Sequence, residues 1–326
     1  MAVAFAVIGD ETRGMSRTIT DGSIRVGVSA CLLGRQVRYD GSHRRNAFVT
    51  DVLGRFVEFV PVCPEVELGL GVPRETLRLE RRGDDIRMVG NSSASDHTMA
   101  MREYAEHRLD ELAPLELCGY IFKQNSPSCG LQDVMISGSD YPRRERGLFA
   151  AALLRRWPLL PVEEESSLDD LASRENFLER LFAYHRLRSF FKNRWTRASL
   201  ISFHLAHKLQ LLAHSPRSHR KLSRLVRTAS PGSALRLRYE MLFMVTMSKV
   251  PTRAQHARVL EQVACFIDRY LEPQRRSELD QALHDYHEGC TPLAVPISLM
   301  REYSEQFEVD FLKQQTYFEP YSAELR

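Results

Sequence analysis

Near residue 166 the chain changes from short apolar runs broken by Gly and Pro to long runs with helical spacing, so its two halves call for different architectures. Upstream, IRVGVSA (24–30), FVEFVPV (56–62), CGYIFK (118–123), DVMIS (133–137) and LLPVEEE (159–165) are rich in β-branched and aromatic residues and read as strands. Between them, SDHTMAMREYAEHRLDEL and GLFAAALLRRW carry helical spacing. Strands alternating with helices predict an α/β N-terminal domain with a mostly parallel sheet. Downstream, Ser166, Ser167, Asp169 and Asp170 open a helix with a capping-box start, and helical patterns run to about residue 315, interrupted at SPRS, TASPGS and VPT. An all-α C-terminal helical domain is predicted there. The 326 residues suit two cores of roughly 150 residues each, and we expect a loose leader (1–22), an α/β domain (23–165) and a helical domain (166–326).

No run approaches the roughly 18 apolar residues of a membrane helix. The opening MAVAFAVIGDETRG places an acidic pair where a signal peptide needs its apolar core and cleavage site. A cytoplasmic chain without a membrane partner is expected. In that compartment Cys31, Cys63, Cys118, Cys129, Cys265 and Cys290 are thiols or metal ligands in preference to disulfides.

Three of the cysteines share a setting. Cys31 follows a strand in SACLLG, Cys63 follows one in PVCPEVELGLG, and Cys129 follows one in NSPSCG. Loops that follow parallel strands gather at one sheet edge, so these three can converge. Three unpaired thiolates suit an iron-sulfur cluster, with one iron left open, better than a structural zinc, which takes four ligands at short spacings. Three unrelated buried cysteines are the other reading. Cys118 and Cys265 read as core, and Cys290 lies in a loop. Glu65 is a candidate general acid or base, Ser126 a candidate hydrogen-bond donor to substrate or water, and Asp40 a candidate for either task. Each, taken singly, is also an ordinary turn residue.

Net charge is only +3, yet its distribution is uneven. From Leu181 to Tyr239 there is no Asp or Glu, while 13 Lys or Arg are interleaved with histidines and aromatics. A solvated helix face normally mixes signs, and 59 residues without an acid fit a phosphate-facing surface. Arg194, Arg197, Lys208, Arg217, Arg220, Lys221, Arg224 and Arg227 are the candidate nucleic-acid contacts, with RNA favoured over DNA. His204, His207 and His214 read as structural or phosphate-contacting histidines, since no nearby carboxylate completes a metal set. Tyr317 and Phe318 read as packing residues.

Taken together, SACLLGRQVRYDGSHRRN, VPVCPEVELGLGVPRE and KQNSPSCG resemble the thiouracil desulfidase family over about residues 24–160. ENFLERLFAYHRLR, FHLAHKLQLLAHSPRSHRKL and FLKQQTYFEPYSAEL resemble the YbgA-type domain often fused to it. The resemblance implies a 4Fe-4S cluster held by Cys31, Cys63 and Cys129, with Glu65 as the proton-transfer carboxylate and Ser126 as the substrate-positioning hydroxyl. It implies hydrolysis of a thiocarbonyl without net redox change, and two-domain proteins of this kind resemble transfer-RNA 4-thiouridine desulfidases. The stretch VELGLG is shorter than in many stand-alone members and is expected to border the pocket and alter the substrate. Two further readings stand beside this one: a desulfidase of free thiouracil or thionucleosides, and a non-catalytic nucleic-acid-binding iron-sulfur sensor.

Overall fold

The computed structural model describes residues 24–137 and 144–325, so the expected leader lies outside the described residues. Four of the anticipated strands form one sheet: β1 (Arg25–Ser29), β2 (Glu58–Val62), β5 (Gly119–Phe122) and β8 (Val162–Glu164), in the order β2-β1-β5-β8 and all parallel. The sheet is buried on both faces because alternate residues of its central strands serve two cores. Val26, Val28 and Ile121 point one way, while Tyr120 and Phe122 point the other. Gly27 is required between them, since a Cβ there would stand 2.2 Å from the Tyr120 ring.

Helices α2 (Thr98–Leu112) and α3 (Leu148–Arg156) cover the Tyr120 face with Met101, Leu109, Phe149 and Leu153. The opposite face is covered by Val49 and Leu53 of the β1–β2 connection and by α4 (Leu171–Lys192), through Phe177, Leu178, Leu181 and Phe182. Asp170 caps α4 by accepting from the Ser173 N–H at 2.9 Å, whereas Ser166 and Ser167 belong to a preceding turn, so the capping box anticipated there is a single Asp cap.

A second, mixed sheet was not anticipated. Strands β3 (Leu77–Arg82) and β4 (Asp85–Gly90) form an antiparallel hairpin turning at Gly83, β6 (Val134–Ser137) adds parallel to β3, and β7 (Arg144–Glu145) closes the order β4-β3-β6-β7. The DVMIS strand therefore belongs to this sheet and not to the parallel one.

The C-terminal region is helical, as expected: α5 (Arg197–Ala206), α6 (Lys208–His214), α7 (Pro216–Thr228), α8 (Ser233–Met247), α9 (Arg253–Ile267), α10 (Pro273–Glu288), α11 (Ala294–Gln306) and α12 (Asp310–Lys313). SPRS is a helix start, with Ser215 as the cap and Pro216 at the first helical position. Capping boxes open α5 (Thr196 with Ser199) and α9 (Thr252 with Gln255). Two apolar clusters result, one between α4, α5, α7 and α8, the other between α6, α9, α10 and α11. Tyr317 and Phe318 are buried in the second, as their packing role predicts. The chain end then returns to the N-terminal core, where Tyr321 and Leu325 join Val26 and Phe182, and Arg186 donates to the Pro320 carbonyl at 2.8 Å. Among the described residues no helix is long and apolar enough to cross a membrane.

Candidate active site

The parallel register places the C-terminal ends of β1, β2 and β5 side by side, with Ser29 opposite Val62 and Val28 opposite both Pro61 and Ile121. Cys31 lies in the tight turn Ala30–Leu33 leaving β1. Cys63 caps the one-turn helix α1 (Pro64–Glu67) leaving β2, and Cys129 sits in the loop leaving β5. All three line one cavity of about 250 Å³. The Cys63 thiol stands 3.8 Å from the Val37 carbonyl, which ties its loop to the one after Cys31.

The Cys129 loop is also built into the fold. It supplies the backbone acceptors for the first N–H groups of α3: Leu148 donates to the Pro127 carbonyl at 3.0 Å and Phe149 to Ser128 at 3.0 Å, while Gly147 donates to Gly130 at 2.8 Å. The two segments approach so closely that a Cβ on Gly147 would lie 2.5 Å from the Ser128 carbonyl.

Burial raises all three thiols. Cys31 is pushed up to about 11, Cys63 is raised, and Cys129 is raised further, in each case first by loss of water; the Cys63 thiol adds to the rise of Cys31 and Cys129, and Glu65 adds to that of Cys63. As free thiols they stay protonated at neutral pH, and ionisation there calls for a bound cation that accepts sulfur. The remaining cysteines stand elsewhere. Cys118 is buried, 3.6 Å from His185 Nδ1, in agreement with a core role. Cys265 is exposed, which corrects the core assignment: Val259, Leu260, Val263 and Ile267 form the inward stripe of α9 and Cys265 falls outside it. Cys290 is exposed beside the end of α10. The cavity thus offers three thiols and no fourth, and among the described residues no three Cys, His, Asp or Glu converge on a single ion. That donor set fits a 4Fe-4S cluster in which three irons each take one thiolate and the fourth is left open, and not a structural zinc, which takes four ligands.

Glu65 is held at the cavity wall from both ends. Arg74 donates twice to its Oε2, from Nε at 3.0 Å and Nη2 at 2.6 Å, and Ser128 Oγ donates to its Oε1 at 2.8 Å. Ser126 stands 3.5 Å from the same oxygen and 3.0 Å from Ser128 Oγ. Its Oγ accepts the Cys129 N–H at 3.1 Å, which orients the hydroxyl within the cysteine loop. Arg74 is further fixed by donation to the carbonyls of Val37 and Gly71. Lys123, also in the wall, pairs with Glu165. The structure therefore brings Cys31, Cys63, Cys129, Glu65 and Ser126 together. Asp40 does not line the cavity: its carboxylate is exposed and accepts from the Ser42 hydroxyl at 2.6 Å and the Ser42 N–H at 3.0 Å, a turn-forming arrangement. The residues of VELGLG do not line it either; that segment curves away through Gly69 and Gly71, both with positive φ, and so carries Arg74 back to Glu65. Arg74 and Ser128 are the site residues that sequence reading missed.

In the helical region, Arg217, Arg220, Lys221, Arg224 and Arg227 are exposed along one face of α7, and Ser218, Leu222 and Val226 are buried on the other. No ion pair holds these five among the described residues. Arg194 is exposed in the loop between α4 and α5, whereas Arg197 donates to the Ala229 carbonyl and Lys208 lies over the Phe311 ring at 5.4 Å. Arg188 and Lys192, in the acid-free stretch, pair across the domain seam with Glu116. The histidines are structural: His204 bonds Ser223 at 2.9 Å, His207 bonds the Phe203 carbonyl at 2.8 Å, and His214 bonds Glu179 at 2.7 Å.

Residues 26–165 match the model of the 2-thiouracil desulfurase family, and residues 208–322 match that of a protein of unknown function, DUF1722. The chain is 28% identical over 148 residues to the uncharacterized protein YbgA of Escherichia coli K12, covering 88% of that protein and 44% of this one. It is 28% identical over 149 residues to the uncharacterized protein YbbK of Bacillus subtilis 168, covering 97% of that protein and 44% of this one. Among solved structures it is similar to a [4Fe-4S]-dependent thiouracil desulfidase, TudS, at 32% identity and a TM-score of 0.37, over 95% of that chain and 45% of this one.

Proposed function

We propose that this chain, which carries a 2-thiouracil desulfurase domain followed by a DUF1722 domain, is an iron-sulfur-dependent desulfidase that converts 4-thiouridine in transfer RNA to uridine and sulfide. The observation that carries the reading is the single cavity where Cys31, Cys63 and Cys129 meet the anchored carboxylate of Glu65. The net reaction is hydrolytic: the carbon loses its bond to sulfur, gains one to the oxygen of water, and no electron is transferred.

The three thiols fit a 4Fe-4S cluster, which when bound supplies an open iron as Lewis acid for the thiocarbonyl and as acceptor for its sulfur. The chain's own residues do the rest. Glu65 takes the proton of the attacking water, and Arg74 and Ser128 fix it in one orientation so that proton transfer does not wait on side-chain rotation. Ser126, oriented by the Cys129 N–H, positions the substrate ring from the same loop. The exposed basic face of α7 supplies an attraction for RNA phosphates.

Anaerobic reconstitution with iron and sulfide, incubation with thiolated transfer RNA and nucleoside analysis test the proposal. Loss of 4-thiouridine with matching uridine is expected. Glu65→Gln should lower turnover by a factor on the order of 10²–10⁴ while leaving the cluster's visible absorbance unchanged. Intact 4-thiouridine beside a fully loaded wild-type cluster would falsify the reading.

A further inference from the structure

Behind the cysteine cavity lies a buried hydroxyl with nothing to bond. Tyr120 is fully buried on the α2–α3 side of the parallel sheet, and its Oη has no hydrogen-bond partner among the described residues. Such a group is costly, and a phenylalanine, the residue used beside it at Phe122 and Phe149, would pack the same core without that cost. The ring itself is fixed. Its centroid lies 4.1 Å from that of Phe122 and 6.1 Å from that of Phe149, and it leans across β1 over Gly27. The Phe149 N–H in turn donates to the Ser128 carbonyl, so the ring packs against the helix start that the Cys129 loop supports.

Four groups dominate the electrostatic surroundings of this hydroxyl: Cys129 first, then Tyr104, Glu67 and Cys63. Tyr104 and Glu67 are committed to other bonds. Glu67 Oε2 accepts from Tyr104 Oη at 2.6 Å and from Arg108 Nε at 3.0 Å, and its Oε1 accepts the Cys63 N–H at 2.8 Å. Cys63 directs its thiol to the Val37 carbonyl and lies outside the apolar cluster that Tyr120 and Cys129 share. Cys129 is left, 5% exposed within that cluster. Ser128 Oγ stands 3.8 Å from its sulfur, but the Ser128 proton goes to Glu65, so the hydroxyl that bonds this sulfur on the cavity side is that of Ser29. A thiol is a weak acceptor and leaves Tyr120 unbonded, whereas a thiolate is a charged one. Burial keeps the Tyr120 proton in place, so the phenol can act only as a donor to it.

We infer that Tyr120 is a positioning residue for the cluster, whose hydroxyl donates to the Cys129 sulfur once that sulfur is a thiolate ligand and so holds the ligand and raises the cluster's reduction potential. This rests on the iron-sulfur reading of the three cysteines and adds no step to the hydrolysis. A hydrogen bond to a ligand sulfur withdraws charge from it and favours the reduced cluster. Tyr120→Phe removes one oxygen and keeps the ring. In the reconstituted full chain its midpoint potential, followed by electron paramagnetic resonance during a redox titration, should fall below that of the wild type. Loss of the visible absorbance to an iron chelator should be roughly three- to tenfold faster, the worth of one hydrogen bond. A tyrosine fluorinated beside its hydroxyl and placed at position 120 is a more acidic donor of nearly the same shape, and should move the potential upward.

Opposite shifts from two replacements that pack alike are what a hydrogen bond gives and a change of packing does not. Potentials equal to the wild type in both chains overturn the inference, as does a rise in Tyr120→Phe. Should Tyr120→Phe not fold, the fluorinated chain against the wild type decides alone: an upward shift supports the bond and an unmoved potential overturns it. Failure of the underlying readings looks different. Without an iron-sulfur cluster the reconstituted wild type develops no visible absorbance, and the inference falls with it; with the wrong substrate alone, 4-thiouridine survives the loaded enzyme while the Tyr120-dependent shift persists.

Discussion

Arg74 decides whether the proposed site holds together, because it is the counter-charge of a carboxylate that the fold buries. The side chains of Arg74 and Glu65 are 7% and 14% exposed, and removing one partner of such a pair leaves the other buried and uncompensated, at a cost of about 3–5 kcal/mol. Arg74→Met should therefore lower the urea-derived stability by about that much, and Glu65→Gln added to it should recover a large part, since the stranded charge is then gone. Urea unfolding of the wild type, both single variants and the double variant measures the coupling; strictly additive losses would show that the pair does not hold the site. The three cysteines were legible because each follows a recognisable strand, and Glu65 and Ser126 lie beside them in sequence. Arg74 was not legible. It is nine residues past Glu65, and it returns only because Gly69 and Gly71 take positive φ, a path that no periodic pattern announces. Ser126 and Ser128 share one short motif, and only geometry shows that Ser128 makes the 2.8 Å bond to the carboxylate.

Among the elements, α7 has the clearest division of faces. Arg217, Arg220, Lys221, Arg224 and Arg227 recur at three- and four-residue spacings on the side away from Leu222 and Val226, so each can be changed without touching the core. Reversing Arg220, Lys221 and Arg224 to Glu should leave the helical circular dichroism intact and weaken transfer-RNA binding, with the slope of log affinity against log salt reduced by about three. Filter binding from low to moderate salt reads that slope, and an unaltered value would remove α7 from the RNA interface. This helix was visible in sequence because its spacing repeats. The acid-free stretch as a whole misled in part, since Glu116 is remote in sequence yet reaches Arg188 and Lys192 in space. The β3–β4 hairpin escaped for a related reason. LRLERR and DIRMVG look like charged loop, but Leu79 and Met88 turn inward while Arg78, Glu80 and Arg82 pair on the outer face. Without β3, the partner of β6 was missing, and DVMIS was placed in the wrong sheet.

For the molecule as a whole, the change of pattern near residue 166 marks a change of element type, while packing continues across it. Helix α4 covers one face of the parallel sheet with Phe177, Leu178, Leu181 and Phe182, all nearly or fully buried, and the chain end returns to the same cluster. At about 1.5–3 kcal/mol for each fully buried side chain, this seam is comparable with the entire stability of an ordinary domain, so strain in the helical region reaches the sheet that positions the cysteines. Acid supplies such strain. Burial lowers His204 to about 4 and His207 to about 3, the latter also opposed by the adjacent Arg186 guanidinium. Above pH 6.5 the folded and unfolded chains both hold these imidazoles neutral. As pH falls below 6.5 the unfolded chain binds protons that the folded one does not accept until near pH 4, so stability is lost on acidification, at about 1.4 kcal/mol per unit of displaced pKa. The lowered carboxylates of the N-terminal region, Asp85 and Asp96 among them, withdraw their contribution only below about pH 4, the ordinary carboxylate range. Denaturant unfolding followed by far-ultraviolet circular dichroism between pH 7.5 and 4.5 should accordingly show a loss of several kcal/mol as an order of magnitude, concentrated between pH 6.5 and 4.5. His204→Gln, whose amide can reach the Nε2 position and keep the bond to Ser223 without titrating, should flatten that decline; a profile of equal steepness in the variant would place the acid sensitivity elsewhere in the fold.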